Sequence, residues 1–384
     1  MIPYSRQIID KKDITNIVKT LKSNLVTTGP KVPEFENKIK NFVGAKYSVA
    51  VNSATSALHL ACISLDLKKG DWLWTTPISF VASANCGLYC GAKIDFVDID
   101  INTYNICVKK LEQKLKKAKI KKKLPKIIVI VDLAGFPCDF NEIRRLSKIY
   151  KFKILEDASH ALGAKYYGKN IGNGKFADIS VFSFHPVKII TTLEGGIATT
   201  NNKKLFQKME MLRSHGITRD KKKFVNINKN HWHYEQQLLG YNYRMNDIEA
   251  SLGISQLNKI KKFFKIRTYV KNFYDKHLQN LPLTLPPNDK NKTSSMHLYI
   301  VRVKNITKYE RDKIILKLKK KGIGVNIHYI PIHFQPFFKK LGFRKGMFPE
   351  SEQYFESAIS LPIHPGINKK DLIKIIKNIK LLIN

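Results

Sequence analysis

Long apolar runs are missing from this 384-residue chain. No window reaches the roughly 18 uninterrupted apolar residues that a membrane span needs, and the opening MIPYSRQIIDKKD lacks the apolar centre of a signal peptide. A cytoplasmic protein with no membrane partner is therefore expected. Cysteine is scarce as well. Cys62, Cys86, Cys90, Cys107 and Cys138 are odd in number and form neither a CxxC pair nor a Cys/His cluster. Neither a disulfide framework nor a structural zinc site is expected, and no metal is. Acidic residues are few: 30 Asp plus Glu stand against 68 Lys plus Arg, for a formal charge of +38. Such an excess raises nucleic acid as a partner. It is spread along the chain, however, in repetitive text such as KKLEQKLKKAKIKKKLPK and KKDLIKIIKNIKLLIN, and no RNP, zinc-finger or basic-zipper pattern accompanies it. The reading is a lysine-decorated solvated surface without nucleic acid, whose positive field still favours an anionic ligand.

The length suits one large and one smaller domain with a substantial buried core. Up to about residue 255, β-like runs alternate with helical patterns. YSVAVNS precedes a helix from about Ala54, and DWLWTTP one from about Ser79. AKIDFVDID follows, then PKIIVIVDL before a helix from about Asp139, then FKILEDAS and ADISVFSF. That alternation argues for an α/β unit whose mainly parallel sheet is covered on both faces. A long helical pattern over about 246–280, beginning NDIEASLGISQL, leads through the proline-rich LPLTLPPNDKNK into a smaller α+β unit. This unit holds HLYIVRV, RDKIILKLKKKGIGVNIHY and a terminal helix. The expected division is 1–255 for the large cofactor-binding unit with an N-terminal arm, and 256–384 for the linking helix and small unit.

The stretch SVFSFHPVKIITTLEGG places Lys188 in an apolar setting after a strand. An amine held there loses hydration, its pKa falls, and the free base can attack a carbonyl to form a Schiff base. A lysine after a strand can equally snorkel to the surface. In ILEDASHALGA, Asp157 closes a β-like segment, where side chains face the ligand crevice of an α/β sheet. A buried carboxylate there needs a cationic partner. A protonated pyridine nitrogen is one, and that contact, with a Schiff-base lysine, is how proteins make pyridoxal phosphate an electron sink. Capping the next helix is the alternative for Asp157. VNSATSALHLA sets small hydroxylated residues between a strand and a helix. The Ala54 and Thr55 N–H groups and the Thr55 hydroxyl can meet a phosphate there, or the segment can be a plain cap. Ser183 is a further phosphate donor, and Phe80 in TTPISFVASAN can stack on a pyridine ring or belong to the core.

Together these segments resemble the DegT/DnrJ/EryC1/StrS sugar aminotransferases, a branch of the fold-type I pyridoxal-phosphate enzymes. The resemblance runs from VTTGPKVPEFE through NSATSALHLA, EDASHALGA, FSFHPVKIITTLEGG and LGYNYRMNDIEASLGISQL to GIGVNIHYIPIH. It implies an aspartate-aminotransferase-like fold, with a mainly parallel sheet of the seven-stranded type and a smaller α+β C-terminal domain. Pyridoxal 5′-phosphate is the implied cofactor. By the same resemblance Lys188 forms the Schiff base and moves the proton, Asp157 holds the pyridinium, and Phe80 and the neighbourhood of His160 pack the ring. Ala54, Thr55 and Ser183 bind the phosphate. Asn242 in GYNYR matches an asparagine that reaches the phosphate from the partner subunit, so a homodimer is implied. The implied reaction passes an amino group from L-glutamate to a UDP-linked 4-keto-6-deoxy sugar. The text looks most like the pseudaminic-acid branch, with a perosamine or 4-amino-arabinose type as the alternative. Tyr4, Arg244, His328, Tyr329 and His333 are expected at the sugar nucleotide, although HWHYEQQ and HYIPIHF can also be an aromatic-rich packed interface. Asp132 stands where some relatives carry histidine. A nucleic-acid-binding protein that kept the fold without the chemistry is the reading from another class, and it predicts steeply salt-dependent DNA binding.

Overall fold

The computed structural model describes residues 1–226 and 230–383. Seven strands form the central sheet: β1 (Tyr47–Val51), β2 (Trp72–Thr75), β3 (Lys93–Phe96), β4 (Ile127–Val131), β5 (Lys153–Asp157), β6 (Ile179–Ser183) and β7 (Gly196–Thr200). Their spatial order is β1-β7-β6-β5-β4-β2-β3. Strands β2 to β6 pair in parallel, and β7 runs antiparallel to both β1 and β6. Every residue of β4, IIVIV, is buried, as a sheet covered on both faces requires. The sequence pattern marks six of these strands and misses β7, because GIATT has no clear alternation and its place is set by the partners on either side.

Helices complete the layers. Helix α3 (Ala54–Ser64) is apolar nearly all round and almost wholly buried, the composition of a helix enclosed by other elements. It packs against α4 (Ala82–Tyr89) and crosses β6 and β7. Helices α1 (Lys11–Leu21) and α2 (Lys31–Val43) pack on the helix Asp247–Leu257. The Asp247 carboxylate fastens the entry to α2 by accepting the Gly29 and Lys31 N–H groups at 2.8 and 2.7 Å.

The helical pattern expected over 246–280 is two helices, Asp247–Leu257 and Ile260–Leu278. Between them Lys259 N–H bonds back to Gln256 O, a tight three-residue turn, and the Lys259 ammonium reaches Asp10 and the buried Asp13. The large unit's apolar core extends to Phe263 and the small unit's begins at Val270. Packing therefore passes from one to the other inside the second helix, Ile260–Leu278. The small unit holds an antiparallel sheet with Tyr299–Val303 between Leu283–Thr284 and Ala358–Leu361. Its terminal helix Lys369–Ile383 buries Leu372, Ile375, Ile376, Ile379 and Ile383 and exposes its lysines, one apolar stripe at helical spacing.

The N-terminal arm ties the two units together. Ile2 exchanges backbone hydrogen bonds with Gly322 and Gly324, at 2.8 and 2.7 Å, and the Tyr4 carbonyl accepts from Ile363 N–H at 3.0 Å. On the large unit, the Ser5 hydroxyl donates to Val187 O at 2.9 Å and the Gln256 amide donates to Ile8 O at 2.9 Å.

Candidate active site

The carboxyl ends of the parallel strands open into a cleft of about 420 Å³, within the range of small-molecule sites. Lys188 projects from the loop joining β6 to β7. That loop is closed at its base by Phe184 N–H to Gly195 O, 2.9 Å, and Thr192 N–H to Phe184 O, 3.0 Å, and by the buried Thr191 hydroxyl on Phe184 O at 2.9 Å. Removal from water pushes the Lys188 amine down to about 8, against the opposing pull of the Asp157 charge. At pH 7 about a tenth is then free base, on the order of two hundred times the share of an ordinary lysine.

Asp157 ends β5 in register with Val131 and Val181 of the flanking strands. It is 5 % exposed. The Ser83 hydroxyl donates to one carboxylate oxygen at 2.6 Å, and Ser159 N–H to the other at 3.2 Å. Ser79 lies 2.6 Å beyond Ser83 in the same hydroxyl chain. Among the described residues Asp157 makes no ion pair, so a buried carboxylate faces the cleft with no cation bonded to it. Such a group calls for a cationic partner.

At the other side α3 begins. Ser53 caps it, its hydroxyl accepting Ser56 N–H at 3.1 Å. The Ala54 and Thr55 N–H groups head the helix with no carbonyl of their own to bond. Both residues line the cleft with Ser183. β7 passes close beneath: a side chain on Gly196 would come within 2.5 Å of the Ser53 carbonyl carbon.

An aromatic wall completes the cleft. Phe80 is 58 % exposed and its ring lies 6.3 Å from that of Tyr329, which removes the core alternative for this residue. His160 is buried; its Nδ1 accepts Ala134 N–H at 3.2 Å and its Nε2 lies 3.1 Å from the Tyr329 hydroxyl. Burial, with the nearby Lys188 charge, holds His160 well below the ordinary imidazole range and therefore neutral. His328 bonds Ser360 at 2.8 Å, faces the Tyr4 ring at 5.2 Å, and is pushed down to about 3 by burial. Tyr4, His328 and Tyr329 all line the cleft.

Three expected residues lie elsewhere. His333 is wholly buried and its Nε2 sits 3.1 Å from Glu352, against Phe334 and Phe348. It packs the fold and does not reach the cleft. Its pairing partner lies nineteen residues on, beyond any local pattern. Arg244 and Asn242 are exposed on the segment that bridges to Val51 and Ser214, and neither lines this chain's cleft. Asp132 turns away as well: it accepts Cys138 N–H at 2.8 Å and lies fully buried beside Glu156.

Some residues escape the sequence reading. His297 lines the cleft, its ring 4.3 Å from that of His160, and burial keeps it neutral. Its only sequence signal is a lone histidine heading the strand HLYIVRV. Ser79 and Ser83 are legible only as a hydroxyl pair one helical turn apart; Glu194 belongs to the LEGG segment but has no expected role there, and Asn326 carries no local signal.

Pyridoxal phosphate fits these residues. The cation-less Asp157 answers its ring nitrogen, the free N–H groups of Ala54 and Thr55 its phosphate, and the dehydrated Lys188 amine its aldehyde. The comparisons agree with that fit. The description "DegT/DnrJ/EryC1/StrS aminotransferase family" matches residues 7–380. A Campylobacter jejuni protein named UDP-4-amino-4,6-dideoxy-N-acetyl-beta-L-altrosamine transaminase is 40% identical over 373 residues, covering 97% of this chain and 94% of its own. Among solved structures, a putative sugar aminotransferase from Streptococcus pneumoniae in its PMP form superposes with a TM-score of 0.91 at 32% identity, covering 100% of this chain and 99% of the other. Helicobacter pylori PseC, described as an aminotransferase of pseudaminic acid biosynthesis, superposes with a TM-score of 0.89 at 34% identity, with 100% and 99% covered. The chain belongs to the DegT/DnrJ/EryC1/StrS aminotransferase family.

Proposed function

We propose that this aminotransferase moves the amino group of L-glutamate to C4 of a UDP-linked 2-acetamido-2,6-dideoxy-4-keto-hexose, giving the 4-amino-4,6-dideoxy-N-acetyl-β-L-altrosamine nucleotide of the pseudaminic-acid route. The observation that carries the amino transfer is the placing of Lys188 and Asp157 in one cleft with the head of α3. The sugar rests on the named transaminase at 40% identity.

Pyridoxal phosphate, when bound, supplies a carbonyl for amine exchange and a ring that withdraws electrons. The protein's residues do the rest. Asp157, fixed by Ser83 and Ser159, would hold a ring nitrogen in its protonated form. Ala54, Thr55 and Ser183 take the phosphate at the positive end of α3. Lys188 Nζ, poised near neutral pH, accepts and returns the proton at the carbon being aminated. Phe80, exposed on the cleft wall, would pack against the ring. Tyr4, His328 and Tyr329 present neutral polar groups to the sugar nucleotide. Asn242, exposed in this chain, reaches the phosphate of a second copy, so the working unit is a homodimer. Among the described residues no helix is long and apolar enough to cross a membrane.

Absorbance near the visible edge, before and after glutamate, and mass analysis of the product formed from the UDP-4-keto sugar test the reading. A glutamate-sensitive band that Lys188→Ala abolishes, together with an aminated UDP-sugar, is expected. A band without that product moves the substrate to another 4-keto sugar, such as a perosamine or 4-amino-arabinose precursor. Absence of any band in cofactor-supplied protein overturns the aminotransferase mechanism.

A further inference from the structure

Two hydrogen bonds decide which way Tyr329 offers its proton. A backbone N–H can only donate, and Ala134 donates to His160 Nδ1 at 3.2 Å, so that nitrogen presents its lone pair. In a neutral imidazole the single proton then sits on Nε2, which lies 3.1 Å from the Tyr329 hydroxyl. The phenol oxygen is therefore an acceptor from His160. Its own O–H has no other protein partner among the described residues, and Tyr329 lines the cleft beside Lys188, Asp157 and Phe80.

The tautomer is held from behind by a rigid turn. Ala134 sits in the left-handed region, at φ 57°. Its neighbours are pinned by Asn105, which accepts Leu133 N–H at 3.0 Å and donates to Phe136 O at 2.8 Å. The Ala134 carbonyl accepts His297 N–H at 3.1 Å, and the Ser295 hydroxyl donates to His160 O at 2.5 Å. Gly135 shares the turn, at φ 86°; a side chain there would lie 2.7 Å from the His160 carbonyl. Ala134 N–H thus cannot swing away without disturbing both the turn and His160.

We propose that Tyr329 donates a hydrogen bond to an electron-rich oxygen bound beside Lys188, and that His160, oriented by Ala134, is the positioning residue that aims it. This rests on the function proposed above. Burial and the Asp157 charge hold the phenol above its ordinary range, so the hydroxyl stays protonated and acts as a hydrogen-bond donor, not as a base. Two oxygens share the required chemistry: the ring hydroxyl oxygen of pyridoxal phosphate and the carbonyl oxygen of the keto-sugar.

Tyr329→Phe in the cofactor-loaded protein tests the proposal, with His160→Gln and His160→Leu beside it. If the ring oxygen is the acceptor, losing the donor leaves it richer in charge, and it holds the neighbouring proton more tightly. The pH midpoint of the absorbance band without substrate then rises by about one unit. If the sugar carbonyl is the acceptor, that midpoint stays, the glutamate half-reaction is unchanged, and the keto-sugar half-reaction slows by about 10²-fold. In either case His160→Gln stays nearer the wild-type midpoint and half-reaction rate than His160→Leu, since its amide oxygen can take the Ala134 N–H while its NH₂ donates to Tyr329; His160→Leu follows Tyr329→Phe. Wild-type midpoint and half-reaction rates in Tyr329→Phe overturn the donor. Loss of function in His160→Gln equal to that in His160→Leu overturns the positioning role. A wild-type protein without a cofactor band points instead to failure of the proposed function.

Discussion

Lys188 has three neutral imidazoles around it, and the one acid whose charge it feels, Asp157, makes no ion pair with it. His160, His297 and His328 each sit close enough to feel its charge, and burial keeps all three unprotonated. With no ion-pair partner among the described residues, desolvation outweighs the pull of the Asp157 charge and the amine falls to about 8. In protein stripped of cofactor, labelling of Lys188 by an amine-acylating reagent should therefore rise with a midpoint near pH 8, while ordinary lysines follow one near about 10.4. Peptide mass mapping across pH reads this directly, and a Lys188 midpoint equal to that of surface lysines would refute the dehydrated setting. In turnover, Lys188→Ala should lose about 10²–10⁴-fold. The Asp132–Glu156 pair behaves oppositely. Both carboxyls are fully buried, and desolvation raises both above the usual carboxylate range. The folded state thus binds more protons than the unfolded chain, and stability falls as pH rises toward neutral. Asp132→Asn keeps an acceptor for Cys138 N–H and removes the charge. It should raise the melting temperature at pH 8 and change it little at pH 4; a stabilisation independent of pH would contradict this.

At the scale of elements, the site is built where strands end and helices begin. Lys188, Asp157 and the head of α3 were legible because each is a short backbone device with its own local pattern: an apolar loop after a strand, an acid at a strand's end, and Ser-Ala-Thr before a helix. His297 and His333 were not, because their roles depend on partners distant in the chain. His297 is brought to His160 by the small unit's strand Tyr299–Val303, and His333 is drawn into the core by Glu352. The break at Asn258–Lys259 was hidden as well; the Lys259 side chain there pairs with Asp10 and Asp13 at the other end of the sequence. The arm shows the same principle at work on the site itself. Ser5 holds the Val187 carbonyl, one residue before Lys188, while Ile2 and Tyr4 hold the small unit. Ser5→Ala should cost about 1 kcal/mol in denaturant unfolding. If the hydrogen bond also keeps the Lys188 loop dry, the labelling midpoint of Lys188 should rise toward that of surface lysines. Ser5→Thr, which retains the hydroxyl, should restore it. A loss of stability with an unmoved midpoint would leave Ser5 a fastening of the fold alone.

For the whole molecule, charge and assembly bear on the same cleft. A formal +38 spread over the surface attracts a nucleotide sugar whose diphosphate is anionic, an attraction that salt screens over about 10 Å at 0.1 M. That field acts at a distance and cannot choose among sugars; the choice belongs to the cleft, and the cleft of one chain is incomplete if Asn242 serves its neighbour. Asn242 and Arg244 are both exposed beside the backbone that bridges to Ser214 and Val51, away from this chain's own Lys188 site. Mixing two inactive variants separates service in trans from service in cis. Lys188→Ala lacks the amine, and Asn242→Asp places a negative charge against the phosphate. If Asn242 acts across the dimer, a subunit carrying Asn242→Asp retains its own Lys188 and receives an intact Asn242 from a Lys188→Ala partner. Co-refolded heterodimers should then recover activity and the glutamate-sensitive band, although neither homodimer shows both. If Asn242 acts within its own chain, every mixed site carries one of the two lesions and nothing is recovered. Size-exclusion chromatography with light scattering on the same samples shows whether subunits exchanged, so a failed rescue in confirmed heterodimers counts against the shared site.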